Sequence, residues 1–177
     1  MSVHVALIRA LNVGGTGKLS MEDLKTVAGD IGLKELSTYI QSGNLIFRDE
    51  GEPDEIAAML DTALGLKLGK APGVMLRSPA ELRGVLEDNP FSGMDPFRVL
   101  VSFFSHRLPD YALNGIIAPD GEEAVAAQRE IYVHYPLGSG RSRFKLPFLA
   151  RGTSRNINTV TKLAELGERL ESRFSRP

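Results

Sequence analysis

Residues 3 to 11, VHVALIRAL, put Val3, Val5, Leu7, Arg9 and Leu11 on one face of a strand and His4, Ala6, Ile8 and Ala10 on the other. Both faces are largely apolar, and such a strand has to be buried on both, so the run reads as a central strand. Whatever follows must flank it and cover it.

The elements that follow do so in a recognisable order. After the glycine-rich stretch NVGGTGKLS, Met21, Leu24, Val27, Ala28 and Ile31 recur at helical spacing, with Ser20 as N-cap and Asp23 three residues on. STYIQSGNLIFRD then reads as two strands around a tight SGN turn. Pro53 opens a second helix along Ile56, Met59, Leu60, Ala63 and Leu64, and GVMLR is a fourth strand. The order β-α-β-β-α-β is that of the split βαβ, ferredoxin-like arrangement.

Ser78, Pro79 and Glu81 form a capping box that opens a further helix. Beyond it, FRVLVSFFS reads as a strand, PDYALNGI as a short helix, and EEAVAAQREIYVHYP as two strands. Two closing helices are expected, one near residues 142 to 150 and one carrying Val160, Leu163, Leu166, Leu170 and Phe174. The fold class is therefore α+β with two ferredoxin-like halves on a duplicated plan. Residues 1–88 form the first half, 89–96 a connector rich in Pro, Gly and Asn, and 97–177 the second half with its extra terminal helix.

Composition narrows the chemistry. At 177 residues the chain buries a sizeable core without staples, and its lack of cysteine excludes disulfides, thiol nucleophiles and cysteine-ligated metal. No basic n-region precedes the first apolar run, and no apolar stretch reaches membrane-spanning length, so a cytoplasmic location is expected. Charge is uneven. Residues 1 to 140 hold 12 Lys/Arg against 19 Asp/Glu, whereas 141 to 177 hold 9 against 3. Within residues 141 to 162 there are six basic groups and no acid.

The glycine-rich stretch fails as a Walker loop, because Asn12 and Leu19 stand where glycine and a hydroxyl are required. Ser20 likewise replaces the last glycine of a dinucleotide fingerprint. What remains is a strand-to-helix elbow whose helix N-terminus can hold an anion, or whose glycines serve only the turn. The run GTSRNINTVTK sets Arg155 beside another helix start, with Asn158 or Thr159 as candidate caps. The three histidines lack metal-ligand spacing, and no serine has a nucleophile elbow, so no metal, cofactor or catalytic residue is assigned.

Taken together, IRALNVGG, YIQSGNLIF, DNPF and RNINTVTKL resemble a mainly bacterial family, the domain of unknown function 1697. The resemblance runs from residue 4 to about 166; it departs at Ala10, where the family usually has glycine, and at Ile157, where it has tryptophan. It implies a two-part α+β fold with ferredoxin-like halves and no particular activity. Its polar motif residues fall here on Arg9, Asn12, Gly14 and Gly15; on Ser42, Gly43 and Asn44; and on Arg155, Asn156, Thr159 and Lys162. These three segments are expected to meet around one cleft.

The leading functional expectation is binding of a small anionic ligand, a nucleotide or a phosphorylated metabolite. One alternative is an enzyme without a triad, which needs a deep pocket holding a perturbed titratable group. Another is a structural or protein-interaction module. Nucleic acid ranks below a small anion, since the chain has no RNP-like aromatic strand and a formal net charge of −1.

Overall fold

The structure, a computed structural model, describes residues 1–9, 19–40 and 43–175. It is a mixed α+β chain with two four-stranded antiparallel sheets and four α-helices among the described residues. It divides into two compact units: Met1–Leu82 together with Leu163–Pro177, and Arg83–Lys162.

In the first unit β1 (Ser2–Ile8), α1 (Met21–Asp30), β2 (Lys34–Thr38), β3 (Asn44–Asp49), α2 (Pro53–Leu68) and β4 (Val74–Arg77) follow in turn, and the sheet order is β2-β3-β1-β4. The expected central strand is central, and it is covered twice. Ala6 and Ile8 join Leu45 and Phe47 in a core with Leu24, Ala28, Ile56, Leu60 and Leu64 from α1 and α2. On its other face Val5 meets Gly167 of α4 (Ile157–Phe174), the last helix.

The caps form as the sequence implies: the Asp23 amide donates to Ser20 Oγ at 3.0 Å. The capping box of α3 (Pro79–Glu87) closes reciprocally, Glu81 N–H to Ser78 Oγ at 3.0 Å and Ser78 N–H to Glu81 Oε2 at 2.7 Å. The hairpin is looser than expected. β2 ends at Thr38, before Tyr39 and Ile40, and its register shifts between Lys34 and Ser37, where Glu35 adopts a φ of 54°.

The second unit holds β5 (Val99–Phe103), β6 (Glu123–Ala126), β7 (Glu130–His134) and β8 (Thr153–Asn156), in the order β6-β7-β5-β8. This repeats the first sheet with every strand number raised by four. The helices do not repeat. PDYALNGI is a run of turns, in which the Ala112 and Asn114 amides each reach back only three residues. Gly115, at a φ of 78°, then turns the chain away. Near 142–150 there is only a 3₁₀ turn, Pro147–Arg151, because Lys145 is drawn into a two-way backbone bridge with Ile117. These loops bring Ala112, Leu146, Phe144 and Phe148 onto Ile131 and Val133 of β7 and onto Phe104 and Tyr135, which directly follow β5 and β7. A core is built there without the expected helical layer.

The stripe of α4 is also rotated from the expected one. Val160, Leu163, Ala164, Gly167 and Leu170 are buried, Leu166 is half-buried, and Phe174 is exposed with the Arg48 guanidinium 3.5 Å from its ring centroid. No helix among the described residues is long and apolar enough to cross a membrane.

Candidate functional site

Because β1 lies between β3 and β4, its C-terminal end meets the turns that begin both neighbours. The Ile8 amide donates to Gly43 O at 2.8 Å and the Arg9 amide to Gly73 O at 2.9 Å. Gly73 N–H in turn donates to Asp61 Oδ1 of α2 at 2.7 Å. Gly43 and Gly73 hold φ values of 81° and 94°, a region that side chains rarely adopt. The stem of Arg9 runs past Gly73, where an added Cβ would stand 3.5 Å from Arg9 Cβ.

Asn44 pairs with Leu7 in the ladder and is fully buried; its Nδ2 donates to Tyr39 O at 3.0 Å. That bond ties the two ends of the hairpin turn together. The structure thus brings Arg9, Gly43 and Asn44 to one end of the first sheet, with Arg9 half-buried. Asn12, Gly14, Gly15 and Ser42 lie outside the described residues.

The third expected segment belongs to the second unit. Arg155 sits on β8 opposite Val101 and is 6% exposed; its Nη1 donates to Thr153 Oγ1 at 2.5 Å and to Ser154 O at 2.9 Å. Burial pulls its pKa down to about 10, which still leaves it charged at neutral pH. Asn156, rather than Asn158 or Thr159, caps α4, its Oδ1 accepting from the Thr159 amide at 2.9 Å. Thr159 is buried and Lys162 half-buried. On the opposite face of β8, Ser154 Oγ lies 2.6 Å from Ser102 Oγ.

One buried cation escapes the sequence reading. Arg77 ends β4 opposite Val5, is 1% exposed, and donates from Nη1 to Leu76 O at 2.9 Å. Its place matches that of Arg155: each faces a valine of the central strand, each bonds the carbonyl just before it, and each immediately precedes a helix cap. The signal available was GVMLR running into the capping box.

The family described as Protein of unknown function (DUF1697) matches residues 1–132. The chain belongs to this DUF1697 family. The matched range includes the first two polar segments and ends before Arg155. No curated protein matches. A solved structure, that of conserved bacterial protein SP0830 from Streptococcus pneumoniae, is similar at 22% identity and a TM-score of 0.77, covering 93% of this chain and 98% of that one. At that identity the likeness establishes the fold.

Two grooves lie on the surface of this DUF1697 chain. One of about 460 Å³ runs along Glu165, Glu168, Arg169 and Arg173 of α4, and one of about 530 Å³ lies between residues 107–113 and 126–128. Among the described residues no set of three His, Asp or Glu side chains is placed to hold a metal.

Proposed function

We propose that this DUF1697 protein binds a small anionic ligand, a nucleotide or phosphorylated metabolite, at the end of its first sheet. The observation that carries the reading is the pair of bonds from Ile8 to Gly43 and from Arg9 to Gly73, which set Arg9 between the turns that begin β3 and β4. Arg9 supplies charge-assisted hydrogen bonds to the anion, and Gly43 keeps the turn free of a side chain. Asn12, Gly14, Gly15 and Ser42, its neighbours in sequence, belong to the same proposed site. We read Asn44 as its scaffold, since that side chain is spent on Tyr39 O.

The same strand order in both sheets supports a duplicated ferredoxin-like plan, with the second copy having exchanged its helical layer for packed turns. Lack of cysteine fits a cytoplasmic setting.

A structural reading is favoured for the β8–α4 junction alone, where Arg155 bonds its own strand and Asn156 caps the helix. Calorimetric titration with inorganic phosphate and a panel of nucleoside phosphates tests the main proposal. Arg9→Gln, shown by its melting curve to be folded, is expected to weaken binding roughly tenfold. Equal affinity in both proteins, or no binding of any phosphate, overturns it.

A further inference from the structure

The second unit carries a surface that its core leaves outward. Segments 111–120 and 143–151 lie antiparallel beside each other. Arg143 Nη2 donates to Asp120 Oδ1 at 2.9 Å, Ile117 and Lys145 exchange backbone bonds at 2.8 and 2.9 Å, Pro147 lies against Gly115, and Phe148 meets Tyr111 edge-on at 6.2 Å. Opposed residues of an antiparallel pair share a face, so Ile117 and Lys145 project together. Ile117 is 55% exposed and Tyr111 54%.

Arg141, Arg143, Lys145 and Arg151 are all exposed along this strip, and the Arg151 guanidinium stands 5.0 Å from the Phe148 ring centroid. The acids beside them do little to cancel that charge. Asp120 is engaged by Arg143, and Glu122 is 6% exposed, accepting from Ser142 Oγ at 2.6 Å and from Asp120 N–H at 2.9 Å. Glu122 therefore holds the basic loop in place. Asp110, next to Tyr111, and Glu123, next to Glu122, are the exposed acids.

We propose that this strip binds single-stranded nucleic acid, with phosphates on Lys145 and Arg151 and a base stacked on Tyr111. Cations interleaved with exposed rings suit unpaired nucleotides, which present a phosphate and a π-face at each step. A duplex hides its base faces in the stack. An acidic protein surface would satisfy the cations but make no use of Tyr111.

Fluorescence anisotropy of the full chain with a short labelled oligouridylate, its duplex counterpart and polyglutamate as competitor tests it. The single strand is expected to bind more tightly than the duplex, with a log–log salt slope of about −1.4 for its two phosphate contacts. Tyr111→Leu lowers affinity about tenfold. The double variant Lys145→Gln and Arg151→Gln, which alters only exposed groups, makes the slope shallower by about 1.4. Melting temperatures confirm that the variants are folded; where Tyr111→Leu is not, the double variant decides. Equal binding of single strand and duplex, equal competition by polyglutamate, no binding at low salt, or folded variants of unchanged affinity each overturns the proposal.

Discussion

Gly167 packs so tightly against Pro79 that a Cβ added to it would stand 2.6 Å from Pro79 Cγ and 3.1 Å from Pro79 Cβ. Pro79 is the first residue of α3 and its ring has little room to move, so Gly167→Ala forces the helix off the sheet or strains the proline. Overpacking of this kind costs about 1–3 kcal/mol, against about 1 kcal/mol gained by alanine in a helix interior. The expected result is a net loss of about 1 kcal/mol, measured by urea denaturation. Gly84, whose added Cβ meets nothing within 4 Å, provides the control: Gly84→Ala should stabilise.

The buried amide of Asn44 makes a second prediction. Asn44→Ala removes the donor to Tyr39 O inside a fully buried site and leaves a hole beside Leu7. Loss of such a bond costs about 1–3 kcal/mol. At roughly 2–4 °C per kcal/mol for a chain of this size, calorimetry should record a drop of several degrees. Asn44→Asp should be at least as damaging, since it replaces the donor with a buried charge.

These two residues also show where sequence reading succeeds and where it stops. The caps at Ser20 and Ser78 were legible because a cap is satisfied three residues away, within one local segment. The position of Asn44 at the turn was legible too, but its burial is set by β1, more than thirty residues earlier in the chain. Leu166 outranks Gly167 on any hydrophobic stripe, yet a close approach selects the smaller residue, and the identity of the neighbour is a tertiary fact. Residues 109–116 and 142–150 resemble short helices because their apolar residues do reach a core; they reach it through turns and the Ile117–Lys145 bridge. Arg77 reads in sequence as an ordinary strand end, and only the sheet pairing opposite Val5 reveals a buried cation.

Acid should act through His4. This residue is 5% exposed and stacks on Phe47 at 5.5 Å; its Nε2 is buried without a hydrogen-bond partner. Burial lowers its pKa below the usual 6.5, with Asp49 and Glu81 opposing in part. The unfolded chain therefore binds the proton more readily than the folded one, so this group's contribution to stability declines as pH falls below 6.5. His4→Gln cannot titrate. The difference in urea midpoint between wild type and variant should be constant above neutrality and shift against the wild type between pH 6.5 and the lowered folded value. A difference that stays flat through that window would falsify the assignment.

Scaffold and site can be told apart at the two arginines of the resemblance, Arg9 and Arg155. Arg155 is buried against Thr153 and Ser154, so Arg155→Ala removes a large buried stem and strands the hydroxyl of Thr153. Truncating a large buried side chain costs about 2–5 kcal/mol, which calorimetry reads as a fall of many degrees. Arg155→Met keeps most of the stem without the charge and should recover much of that loss. Phosphate affinity, carried on the proposal above by Arg9, should stay within about twofold in both variants, since a lost charge-assisted contact would cost tenfold or more. The informative exception is Arg155→Met. If its melting temperature holds while phosphate affinity drops tenfold, the guanidinium of Arg155 contacts the anion, and scaffold is the wrong description of the β8–α4 junction.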